Sequence, residues 1–233
     1  CESYNEVRLR PRSDDHQSCV SFRLGTLPDA PSSAHQDYFG NWVHRFNILP
    51  KHRHLRVESQ SVVMVSDPPP IPENGPSLAD LDAAREKIAE EHYEFLTASE
   101  YVPLAEKIVN IGEIEKSSSG TVAGFARAAA GFVFDRFKYE KGATEVHSSV
   151  DDVLRAGAGV CQDFAHLFLA IARSRGIPAR YVSGYLVPRR NSDVAASPAI
   201  GGASAEMETV IGGQVVTCAR RVDRARGTRT TAC

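Results

Sequence analysis

The sequence predicts an α+β protein in two parts: an N-terminal antiparallel β-domain, and a helical lobe gathered around one buried helix. Three features carry that prediction. Residues 3–65 are dominated by short runs with alternating apolar positions, the period of a half-buried strand. The stretch Asp67-Pro68-Pro69-Pro70-Ile71-Pro72 then interrupts the chain, and serial prolines fit neither a central strand nor a helix interior. Beyond it the apolar residues fall at helical spacing and culminate in Phe164 to Ala172, where almost every side chain is apolar.

In order, the first strand covers 3–10 (Tyr4, Val7, Leu9) and the second 18–24 (Val20, Phe22, Leu24), with a polar connection from Pro11 to Gln17. Leu27 to Gln36 reads as a Pro/Ser-rich loop. Trp42 to Ile48 alternates after a Gly40-Asn41 turn and makes a third strand, and Leu55 to Val65 a fourth. The β-domain is therefore 1–66, followed by a stiff linker at 67–76. Ser77 or Asp80 caps a helix running to about Leu96, and Pro103, a favoured first-turn residue, opens a second over 103–111. After a polar break from Lys116 to Gly120, a third helix at about 120–136 carries Val122, Phe125, Ala126, Ala129 and Val133 on one face. Ser148 or Ser149 caps a short helix over 150–156, with Asp151 and Asp152 where the helix dipole favours them. The buried helix follows, and Ala179 to Leu186 is the strand after it, closing a lobe of residues 77–187.

The buried helix holds the candidate chemistry. Gly176 and Pro178 stop it. At roughly 100° per residue, Cys161 shares a face with Phe164, Phe168, Ile171 and Ala172, and Gln162, Asp163, His166, Arg173 and Ser174 collect opposite. Gly157 and Gly159 give a backbone capable of close approach just before Cys161. A thiol in the first turn meets the positive end of the helix dipole, which favours a thiolate, and N–H groups there can receive an oxyanion. The same position equally suits a small buried hydrophobe.

The run GVCQDFAHLFLAIARSRGIPARYVSGYL (159–186) resembles the core of the bacterial transglutaminase-like proteins, a branch of the papain-like cysteine fold. Phe137-Lys138-Tyr139, Gly142, Thr144 and Val146 fit that family's lead-in. SYNEVRLRPR at 3–12 and Asp37-Tyr38-Phe39-Gly40-Asn41 resemble its attached N-terminal β-domain. The resemblance covers about residues 3–187. It implies a transglutaminase-like core with Cys161 as the nucleophile, acting on peptide or protein amides. In such proteins a histidine on the following strand is the base, and an aspartate orients it.

Here that pattern breaks. The 46 residues from Pro188 on contain no Leu, Lys, His or aromatic residue, and no histidine follows His166. So little apolar surface predicts a disordered tail over 188–233. Either the tail is an authentic divergent extension or the reading frame is lost after about Leu186, and the composition favours the second. His166 lies about 140° around the helix from Cys161, and nothing aims His147 at the thiol. His166 is expected to make a structural hydrogen bond. The chain as written is expected to be inactive or impaired, the alternative being a binding or structural module on the same fold.

Composition excludes more than it selects. Net charge of −2 gives no reason to expect nucleic acid or a membrane surface as partner. No apolar run is long enough to span a membrane. Cysteines 1, 19, 161, 218 and 233 are odd in number and widely spaced, which argues against a zinc site or disulfide framework and makes the cytoplasm the expected compartment. His44, His52 and His54 lack carboxylate or cysteine companions and read as exposed strand histidines, so neither metal nor cofactor is expected. The chain opens at Cys1 without Met, which fits a fragment missing a first strand or targeting segment. Oligomeric state is not legible.

Overall fold

The computed structural model describes residues 2–66, 75–104, 110–140 and 149–185, together with the backbone of strands at 201–211 and 214–220. It divides into two compact units, Cys1–Pro69 and Pro70–Cys233. Most of the proline linker lies outside the described residues.

The first unit is all β: β1 (Ser3–Val7), β2 (Gln17–Leu27), β3 (Ser32–Gln36), β4 (Trp42–Ile48) and β5 (Arg56–Val65). An antiparallel sheet runs β1-β4-β3, and β2 pairs antiparallel with β5 as a separate ribbon, with a register shift between Cys19 and Ser21. β3 was expected to be loop. Its five residues are all exposed, so no apolar pattern announced it, and pairing with the central strand β4 supplies its hydrogen bonds instead. β4 alternates as the sequence implies, with Phe46 and Ile48 buried on one face. His44 sits in that same row at 6 % exposure, its ring 4.9 Å from Phe22. It is a core residue, not the exposed strand histidine expected. Burial first, and the Arg10 charge second, push its imidazole below the usual value.

The second unit opens with three short helices, α1 (Leu78–Ala83), α2 (Arg85–Glu91) and α3 (Tyr93–Leu96), where one continuous helix was expected. The breaks fall at Ala84 and His92, whose backbones leave helical geometry. The start is as read: Ser77 caps α1, its side chain accepting from the Asp80 N–H. The helix expected over 103–111 falls partly outside the described residues. α4 (Ile111–Lys116) begins instead where Asn110 caps it by accepting from Glu113. α5 (Val122–Arg136) is capped by Thr121 and α6 (Val150–Ala156) by Ser149, and Gly157 ends α6 at φ 62°, a left-handed conformation that glycine adopts freely.

Between them β6 (Lys138–Tyr139) pairs in parallel with β7 (Ala158–Gly159), directly before the central helix α7 (Cys161–Ser174). β8 (Ala179–Tyr185), β9 (Gly201–Ile211) and β10 (Gln214–Arg220) form an antiparallel sheet in the order β10-β9-β8. Two strands therefore occupy a tail expected to be disordered. The backbone of β9 lies beside α7. Lack of large apolar residues limits what a segment can bury, but a ladder needs only backbone groups. Thr209-Val210-Ile211 and Val215-Val216-Thr217 are β-branched, and the register Ile211↔Gln214 leaves just Gly212-Gly213 between the strands, a sequence suited to a two-residue hairpin.

The core of this unit forms around α5 and α7. Phe125, Leu167, Leu169, Ile171 and Ile177 are fully buried, each contributing about 1.5–3 kcal/mol by leaving water. Among the described residues, no helix is long and apolar enough to cross a membrane.

Candidate active site

α7 is enclosed on nearly every side, and its polar residues serve its two ends. At the C-terminal end Gly176 (φ 82°) allows a Schellman closure: the Ile177 N–H donates to Ala172 C=O and the Gly176 N–H to Arg173 C=O. Arg173 donates from Nε and Nη2 to Ala179 C=O at 3.1 and 2.8 Å, and from Nη1 to Thr97 C=O at 2.9 Å. Arg175 makes a bidentate pair with Asp82 at 2.8 and 2.9 Å and also meets Glu115, tying the helix end to α1 and α4.

The N-terminal end is built differently. The N-cap is Val160, which has no side-chain acceptor to offer the first turn, whereas Ser77, Asn110, Thr121 and Ser149 all cap their helices. The first helical residue is Cys161, partly exposed and a free thiol. Asp163 turns back instead, its Oδ2 accepting the Val160 N–H at 2.7 Å. This carboxylate is only 2 % exposed: the helical wheel puts it opposite Cys161 without foreseeing its burial, and local backbone pairing draws it inward. Gly159 makes room for it. A Cβ at Gly159 would stand 2.8 Å from Asp163 Oδ2, too close for any side chain to be carried there without movement.

Three aromatic neighbours complete the site. Tyr139 pairs opposite Gly159 and meets Phe164 edge-on at 6.3 Å. Tyr181 on β8 lies 5.4 Å from the His166 ring, and Tyr101 stacks on His166 at 5.9 Å with planes 20° apart. His166 is thus held between tyrosine rings instead of by the structural hydrogen bond expected. Burial lowers its pKa most, Arg173 lowers it further, and Asp163 opposes both. His147 lies outside the described residues. Among those residues, no group of three or more His, Cys, Asp and Glu side chains could hold a metal ion.

Of the sequence candidates, Cys161 stands where the helix reading put it, at the first residue of α7. Asp163, Tyr139 and Tyr181 were not singled out for the site. A glycine at the residue before the N-cap and an aspartate at the third helical position were the available signals for Asp163. The tyrosines come from distant strands and left no local signal.

The comparisons agree with this architecture. Residues 1–64 match the bacterial transglutaminase-like N-terminal region, and 112–214 match the transglutaminase-like superfamily core. The core match runs on to Gln214, past residue 187, where the resemblance was expected to stop. An uncharacterized protein of Mycobacterium leprae is 37% identical over 193 residues, covering 82% of this chain and 67% of its own length. A second uncharacterized protein, from Mycobacterium tuberculosis, is 36% identical over 192 residues, covering 79% of this chain and 60% of its own. The chain therefore spans about three-fifths to two-thirds of these relatives. A proposed cysteine protease from Cytophaga hutchinsonii superposes with a TM-score of 0.67 at 21% identity, over 93% of this chain and 70% of that one, a likeness of fold. By its β-domain and its cysteine-led helical core, the chain belongs to the bacterial transglutaminase-like family.

Proposed function

We propose that the second unit carries a cysteine acyl-transfer site of the transglutaminase-like kind, with Cys161 as nucleophile toward peptide or protein amides. The thiolate attacks the amide carbon, the amine leaves with a proton, and water or a second amine then takes the acyl group from sulfur. One observation carries this reading: the thiol is the first residue of the central helix, whose N-cap side chain offers no acceptor to the first turn. A tetrahedral oxyanion there meets the helix's positive end.

The proton partner is the weak point. No histidine follows His166 in the sequence, and His166 is engaged by two tyrosine rings. Slow release of an amine is therefore expected, and that gap favours a second reading, a binding module that keeps the fold without turnover. An activated ester separates them, because its leaving group needs no proton. Mass spectrometry should show one acyl group on Cys161 after a burst, and Cys161→Ala should slow acylation on the order of 10³-fold or more. A thiol that alkylates readily yet never acylates would leave only the binding module.

A further inference from the structure

We propose that Arg10, Trp42 and His44 form a carboxylate-binding site on the first unit. A pair of buried polar atoms left without partners carries the proposal. Neither Arg10 Nε nor His44 Nδ1 has a hydrogen-bond partner among the described residues, although both atoms are shut off from solvent. Buried polar atoms are nearly always paired, so two orphans on neighbouring side chains mark a place for an acceptor. The strand makes them neighbours. Trp42 and His44 are two apart on β4 and so point to the same face, and the Arg10 guanidinium lies 4.4 Å over the Trp42 ring. That cation–π contact fixes where the guanidinium sits. His44 is itself only 6 % exposed.

The surrounding residues supply no acceptor of their own. In register His44 lies between Val7 and Ala34, and its ring meets Phe22, so these neighbours are all apolar. The carboxylates of this region are engaged by other cations: Arg8 meets Glu6 and Asp37, and Arg45 meets Glu6. Arg10 makes no ion pair among the described residues, which leaves one positive charge uncompensated. A guanidinium presents a planar fork of donors that matches a carboxylate, and an imidazole with its proton on Nδ1 adds another donor. Burial and the Arg10 charge both disfavour a second positive charge on His44. A site with one cation and one neutral donor suits a carboxylate monoanion better than the more highly charged phosphate.

Trp42 is the one tryptophan of the sequence, so its fluorescence reports on this site alone. The full chain is titrated with sodium acetate, N-acetyl-alanine and N-acetyl-glutamate α-amide, against sodium chloride and inorganic phosphate at matched ionic strength. A carboxylate should saturate the signal with a Kd on the order of 1 mM. The tighter of the two peptide-like probes then names a chain terminus or an acidic side chain as the source. Arg10→Met alters the surroundings of the tryptophan, so affinity in the variants is read by ligand-observed NMR. Arg10→Met and His44→Phe should each weaken binding by about tenfold. His44→Phe keeps a ring against Phe22 and removes an orphaned atom, so its melting temperature without ligand should hold or rise. A carboxylate response no larger than that of chloride, phosphate bound as tightly, or variants with wild-type affinity would each overturn the proposal. So would a lower melting temperature in His44→Phe with no carboxylate binding, which would assign both orphans to an ordered water only.

Discussion

The two ends of α7 are built to opposite specifications. At the C-terminal end a Schellman closure, Arg173 and Arg175 engage carbonyls and carboxylates from residue 82 to residue 179. At the N-terminal end there is a valine cap, a thiol, and a single carboxylate folded back onto the backbone. Cations at a helix C-terminus and anions at its N-terminus both suit the dipole, and among the described residues it is the C-terminal end that is tied to other elements by charged side chains. A rigidly anchored end fixes the position of the first turn, where the proposed nucleophile Cys161 stands. On the proposed reading, stability and reactivity are separated along one helix of 14 residues.

The largest stability effect should come from the anchored end. Arg173→Met keeps the stem and removes a charged donor from the carbonyls of Ala179 and Thr97, at a cost of about 2–4 kcal/mol by urea unfolding. Burial already depresses this guanidinium, so its carbonyl contacts are what hold it in place. An unchanged unfolding midpoint would show that the anchor is ornamental and dissolve the contrast between the two ends.

At the open end a smaller cost should fall with a larger loss of reactivity. Gly159→Ala drives a methyl into Asp163 and should cost about 1–3 kcal/mol, as overpacking does. It should also slow acylation of Cys161, because the same displacement disturbs the Val160 contact. Asp163→Ala in the same chain should recover part of the stability, giving a non-additive double-mutant cycle. Strict additivity would mean that Gly159 and Asp163 do not meet.

This contrast also marks what was legible in the sequence. The closed end was read correctly because glycine and proline act locally: Gly176 adopts the left-handed conformation its position demanded. The start of the helix near Cys161 was legible too, from the glycines before it and the apolar run after it. The role of Asp163 was not legible because a helical wheel assigns faces and ignores a side chain that returns to its own cap. The exposed strand β3 and the strands β9 and β10 were missed because apolar pattern was the detector, and their pairing rests on backbone hydrogen bonds. Tyr139 and Tyr181 reach the site through tertiary pairing, which no local window contains.

The smallest effect lies between the ends, at His166. Its imidazole is lowered chiefly by burial, lowered again by Arg173 at the anchored end, and raised by Asp163 at the open end. A folded-state pKa below the unfolded value near 6.5 means that the unfolded chain takes up its proton first as pH falls. The stability this neutral ring contributes is therefore complete above that value and is lost progressively below it. His166→Phe preserves a ring between Tyr101 and Tyr181 and should flatten the fall in stability on the acid side. His44 is lowered in the same direction in the first unit and contributes its own slope, so unfolding of the second unit must be followed by a local probe. Arg173→Met should shift the His166 transition to higher pH, and Asp163→Asn should shift it lower. Moving both in the same direction would show that the imidazole does not lie electrically between the two ends, and the division of α7 would need redrawing.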